Sequence, residues 1–201
     1  MQNSTYLLKA IESGIDYNTY RSITDKLLSE NKTSGDNHST FMVSYTRQNV
    51  ERMNYLDETA ILNESLLQSL KDLSGTYIFL VLTESWCGDA SQIVPVLHKI
   101  AEASGGKVEL KLVWRDENLD LMDQYLTNGG RSIPKLVVLE KETLQEKASW
   151  GPRPKVSQEL YSQWKGEGLN MLQISDKLHN WYAEDKTEAV QKEIIALLNQ
   201  L

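Results

Sequence analysis

A single cysteine stands in this chain of 201 residues, in the run Trp86-Cys87-Gly88-Asp89-Ala90. The run follows an apolar stretch of strand length and precedes one with helical spacing. Cys87 therefore falls at a helix start, where free backbone amides and the helix dipole stabilise a thiolate. One cysteine forbids an intramolecular disulfide and any site with several thiolate ligands, leaving mixed or intermolecular disulfides as its sulfur chemistry. Asp89 opposes that chemistry. A carboxylate roughly 6 Å from the sulfur, at an effective dielectric between 20 and 80, costs the thiolate about 1 to 3 kcal/mol, enough to cancel a dipole contribution of about 0.3 to 1 kcal/mol. Asp89 would also stabilise the first helical turn with no chemistry nearby, and Cys87 has a plain alternative as a small, half-buried packing residue. His38, His98 and His179 share no ligand spacing, so no zinc or other metal site is expected.

The elements that must position Cys87 follow from hydrophobic periodicity. Tyr77 to Leu82 is a continuous aromatic and aliphatic run that suits a central strand covered on both faces. Ser91 to Ala103 has helical spacing through Ile93, Val94, Leu97 and Ile100, and Val108 to Trp114 reads as a second strand, so strand, helix and strand form a parallel crossover. A short helix is marked by Leu119, Met122 and Leu126, and Lys135 to Glu140 with Glu146 to Trp150 predicts an antiparallel hairpin. Ahead of these lie helices over Tyr17 to Leu28, over Phe41 to Leu56 and from a cap at Asn63, with Ser29 to Thr40 as a polar surface loop. In the second helix the Asn49 to Arg52 stretch is expected to face water. Everything after Gly151-Pro-Arg-Pro154 reads as helix.

Trp86-Cys87-Gly88, a following amphipathic helix with Pro95 eight residues after the cysteine, and Ile133-Pro134 just before a hairpin together resemble thioredoxin. The resemblance runs from about Thr59 to Lys165. The tyrosine-containing first helix, the stretch from Arg52 to Asp57 and Trp181-Tyr182 are similar to a bacterial group of thioredoxin-like proteins whose motif is often C-G-D-A. It implies an α/β, thioredoxin-like fold: a central mixed sheet flanked by helices, with a helical extension over 1–58, the domain itself over 59–165 and a carboxy-terminal helical extension over 166–201. It also implies a cis bond before Pro134, beside the sulfur, and a groove for extended peptide there, with Trp86 as a wall.

The departures from the family narrow the function. Where the second, resolving cysteine would stand the chain has Ala90, which cannot attack sulfur, so a dithiol reductase cycle is excluded. The buried acid and the lysine of the family align with Val81 and Leu112. Two expectations remain. In one, Cys87 is the catalytic group of a monothiol thiol-disulfide exchange protein, acting on a protein or small-molecule thiol or disulfide, with Trp86, Gly88, Asp89, Ile133 and Pro134 holding the substrate. In the other the chain is a non-catalytic peptide- or protein-binding module. No cofactor is expected; an iron-sulfur cluster shared by two copies, as in some single-cysteine relatives, would need an external thiol as well. Glu84 and Arg131 are expected at the solvated surface.

Composition sets the outer bounds. With 40% hydrophobic and 24% charged residues the chain should bury a real core. Twenty-one basic against 28 acidic residues give a net charge of -7, the wrong sign for a nucleic-acid surface. The longest strongly apolar run, Tyr77 to Leu82, is too short to span a bilayer, and the amino terminus lacks a basic start followed by an apolar run. Membrane association is therefore not expected, and the cytoplasm is the expected location.

Overall fold

Seven consecutive residues from Tyr77 to Thr83 carry no charge, as suits a strand covered on both faces. In the computed structural model, which describes residues 2–201 and side chains from Thr5 onward, they form β1 (Tyr77–Thr83), buried throughout. β1 pairs in parallel with β2 (Val108–Trp114) and antiparallel with β3 (Lys135–Glu140), which in turn pairs antiparallel with β4 (Glu146–Trp150). The sheet order is β2-β1-β3-β4. Val81 lies directly opposite Leu112, and both are buried among apolar neighbours.

Helix α1 (Gln2–Ser13), which the sequence reading did not anticipate, is followed by Ile15, whose amide and carbonyl bond to Leu112 at 2.9 and 2.8 Å. That bridge occupies the outer edge of β2, an edge that would otherwise offer unpaired backbone groups. Next come α2 (Tyr17–Ser29), α3 (Thr40–Thr59) and α4 (Glu64–Asp72), opened by side-chain caps from Asp16, Ser39 and Asn63. Helix α5 (Gly88–Ala103) is the crossover between β1 and β2, and α6 (Leu119–Met122) leads toward the hairpin. The chain closes with α7 (Lys155–Gly166), α8 (Met171–Asp185) and α9 (Glu188–Leu198).

One buried cluster joins the extensions to the sheet, drawing in Ala10, Tyr20 and Met53 from the amino-terminal helices and Ile174, Leu178 and Ile194 from the carboxy-terminal ones. Helix α3 packs on α5, and α9 packs on both α4 and α5. No described helix is long and apolar enough to cross a membrane.

Three expectations about polar residues are corrected. The loop between α2 and α3 is not wholly at the surface: Thr33 and Ser34 are buried because they bond to Ser85, at the end of β1. Asn49 faces the interior rather than water, fully buried, with its amide donating to the Ser85 carbonyl at 3.0 Å and its oxygen accepting from Arg52 at 2.7 Å. Glu84 is also fully buried, and its Oε1 accepts the Asp116 amide at 2.9 Å. Arg131 does lie at the surface, paired with Asp123.

Candidate functional site

Strand β1 ends at Thr83, and the chain turns through Trp86 so that Cys87 becomes the cap of α5. The Cys87 sulfur accepts the Ala90 amide at 3.5 Å and donates to the Ile133 carbonyl at 3.2 Å. A donating sulfur is a protonated one. The thiol is free and only 8% exposed. Burial first, and the Asp89 carboxylate second, push its pKa up to about 12, against the weaker pull of the Ala90 amide and the Arg153 guanidinium. The helix start does not win here, because desolvation penalises the thiolate by more than one amide and a distant cation restore.

Asp89, in the first turn of α5, does not face the sulfur as an open charge. Arg153 binds it through Nη2 at 2.6 Å and through Nε at 3.1 Å, and the Tyr182 hydroxyl donates to its other oxygen at 2.8 Å. The third guanidinium nitrogen donates to Gln158, and the plane of Arg153 lies over the Tyr161 ring at 4.4 Å. This pair ties the motif to α7 and α8.

Gly88 admits a second connection. A β-carbon there would lie 2.5 Å from the Tyr45 hydroxyl and 2.9 Å from His179 Nε2, so the absence of a side chain lets α3 and α8 close over the turn. Tyr45 and His179 are hydrogen-bonded at 3.0 Å, Tyr45 and Ser175 at 2.6 Å, and Gln92 and His179 at 3.2 Å. Burial and the nearby Arg52 push the His179 pKa down to about 4, so the ring is neutral near pH 7. Above this chain of polar groups lies a cavity of about 310 Å³, walled by Trp86, Cys87, Gly88 and Asp89 from the motif, Phe41 and Met42 from α3, and Met171, Leu172, Ile174 and Leu178 from α8.

Trp86 is half-buried, with the Arg115 guanidinium 4.8 Å over its ring, and lines the cavity. Ile133 and Pro134 lie outside the cavity. The bond between them is cis, but both are buried and neither reaches the cavity. The turn at Gly151 covers them so closely that a β-carbon there would lie 2.4 Å from the Pro134 carbonyl oxygen. The structure thus brings Trp86, Cys87, Gly88 and Asp89 to one cavity, and places the Ile133 carbonyl against the sulfur.

The thioredoxin family model matches residues 35–165 of this chain. Thioredoxin from Haemophilus influenzae is 31% identical over 85 residues, which cover 42% of this chain and 77% of that protein. The chain belongs to the thioredoxin family. Thioredoxin 1 of a Nostoc species is 38% identical over 55 residues and thioredoxin of Bacillus subtilis 36% identical over 70. These matches take in 27% and 35% of this chain, and span 49% and 64% of the relatives' lengths. Across nearly the whole chain the fold is similar to a Pseudomonas aeruginosa protein of unknown function, at a TM-score of 0.63 and 18% identity, covering 94% of this chain and 95% of that one. An HIV epitope-scaffold is similar at a TM-score of 0.61 and 16% identity, covering 96% and 98%.

Within this thioredoxin-family chain the residues that close the site lie outside the motif. Tyr45, Arg153, Ser175, His179 and Tyr182 were not anticipated as site residues. The contacts joining Tyr45 to His179 and Asp89 to Tyr182 span 134 and 93 positions, and no spacing rule reaches that far. The signal that was available is Gly88 itself, a glycine at a helix start where most side chains would be tolerated.

Proposed function

We propose that this thioredoxin-family protein is a binding module, not a thiol-disulfide oxidoreductase, and that its site is the cavity over Cys87, Gly88 and Asp89. The observation that carries this reading is the Cys87 thiol donating to the Ile133 carbonyl at 3.2 Å while burial and Asp89 hold its pKa near 12. At pH 7 such a thiol supplies almost no thiolate, the form that attacks disulfides. Ala90 removes the resolving step, and Val81 and Leu112, paired in β1 and β2, supply no titratable group beneath the motif. The division into 1–58, 59–165 and 166–201 acquires a purpose in this reading: the two extensions furnish much of the cavity wall, and the middle segment furnishes its floor.

Monothiol exchange is the second reading, favoured by the presence of Cys87 in the cavity wall. The Cys87 thiolate would attack one sulfur of a disulfide, expelling the other as a thiolate, and an external thiol would then release the mixed disulfide. Alkylation of the folded protein by iodoacetamide across pH separates the two. A midpoint above about 8.5, or reaction only on unfolding, supports the binding module; a midpoint well below that value overturns it.

A further inference from the structure

The cavity is built for an uncharged occupant with one hydrogen-bonding end. Each charged or ionisable group on its wall is already committed. Asp89 is held by Arg153 and Tyr182, the Arg153 charge is matched by Asp89 and its third nitrogen donates to Gln158, and the Cys87 thiol is bonded to Ile133. His179 is bonded through both ring nitrogens, to Gln92 and to Tyr45. A charged ligand would lose its water and find no counter-charge. The remaining surface is largely apolar, and its mouth is formed by side chains that are exposed despite being hydrophobic: Phe41 at 56%, Met171 at 63% and Leu172 at 55%. About 310 Å³ falls at the small end of the range of small-molecule sites, roughly 300 to 1,000 Å³.

The polar end follows from counting protons. Tyr45 and Ser175 hold two hydroxyl protons between them, and their 2.6 Å contact uses one. The His179 ring, accepting from the Gln92 amide at Nδ1, carries its own proton on Nε2 and donates it to the Tyr45 oxygen. One hydroxyl proton is left over at the cavity wall, and only an acceptor can take it.

We propose that the cavity binds a small, neutral, mainly apolar molecule carrying a hydrogen-bond acceptor such as a ketone, ester or amide carbonyl, seated with that acceptor on the one hydroxyl proton left over by the Tyr45–Ser175 pair and its apolar body between Phe41, Met171 and Leu172. This names the ligand class of the site proposed above and rests on that reading.

The test uses the full chain and the neutral fluorophore phenylnaphthylamine, displaced either by a nine-carbon methyl ketone or by the carboxylate of equal length at a pH where the acid is ionised. The fluorophore is expected to brighten on binding, and the ketone to displace it at a concentration at least about tenfold lower than the carboxylate. Met171→Glu and Leu172→Glu, at exposed positions that tolerate charge, are expected to weaken both ligands about tenfold or more. The double variant Tyr45→Phe/Ser175→Ala, which removes both hydroxyls, is expected to weaken the ketone about three- to tenfold more than it weakens the fluorophore. Equal competition by the carboxylate, or binding indifferent to Met171→Glu and Leu172→Glu, overturns the proposal. Displacement by an apolar peptide but not by the ketone overturns the ligand class and leaves the binding module standing. Ketone binding together with rapid alkylation of Cys87 near pH 7 overturns the binding-module reading instead.

Discussion

Asp89 and Arg153 meet at 2.6 Å across 64 positions of sequence, with their side chains only 10% and 11% exposed. Such a pair is held less by its net contribution than by the cost of separating it, since removing one partner strands the other in a poor solvent. Arg153→Met is therefore expected to destabilise the fold by about 3 to 5 kcal/mol, read as a lower urea midpoint at unchanged slope. Combining it with Asp89→Asn should recover a substantial part of the loss. A double variant as unstable as the sum of the two single ones would show that the charges are not coupled.

The same carboxylate bears on Cys87. Burial is the larger cause of the raised thiol pKa and Asp89 the second, so Asp89→Asn should lower that pKa without bringing it to the ordinary range. Each unit by which a thiol pKa falls raises the thiolate fraction tenfold as long as the pH stays below it. Alkylation of the folded variant near pH 8 is expected to quicken by about threefold to thirtyfold over the native chain. An unchanged rate in a variant that is still folded at that pH would remove Asp89 from the account of the sulfur.

Glu84 supplies a pH dependence of stability. Burial raises its pKa from 4.5 to about 7, opposed by hydrogen bonds from Ser34 and the Asp116 amide, and Oε2 has no hydrogen-bond partner among the described residues. Between these two values the folded chain keeps a proton that the unfolded chain has lost, so stability falls as pH rises from 4.5 to 7 and levels off above. The drop from this group amounts to roughly 3 kcal/mol. In Glu84→Gln that part of the slope should vanish, with the difference between the two proteins growing across the same window. Parallel stability profiles for the two would contradict the buried carboxyl.

Periodicity made the sheet legible. Val108–Trp114, Lys135–Glu140 and Glu146–Trp150 have the expected bounds, and Asn63 caps α4 as read, because each rests on residues a few positions apart. The cysteine, its helix-start setting and the lack of a resolving partner were equally local. Asn49 and Glu84 were misplaced for the opposite reason. A polar residue is assigned to water by default, and only the approach of Ser85 to Asn49, or of the Asp116 amide to Glu84, makes its burial tolerable. Arg153 and His179 were hidden in the same way, since their partners stand on other elements. Pro134 was read correctly in sequence order but expected at an open groove, and it was the packing of Gly151 against its carbonyl that closed that face.

Gly88 offers the sharpest test of how the extensions close the site. An alanine at a helix start ordinarily stabilises over glycine by up to about 1 kcal/mol, and the Gly88 backbone is not among the glycines with positive φ, so local preference favours the substitution. The contacts oppose it. The added carbon would stand 2.5 Å from the Tyr45 hydroxyl and 2.9 Å from His179 Nε2, and neither can withdraw without breaking its bonds to Ser175 or Gln92. Gly88→Ala is therefore expected to destabilise by about 1 to 3 kcal/mol. Tyr45→Phe removes the nearer of the two atoms, so Gly88→Ala should cost at least about 1 kcal/mol less in that background, a coupling measurable by a double-mutant cycle in urea. Additive costs would mean that α3 does not sit on the turn after Cys87, and the cavity above it would lose one of its walls.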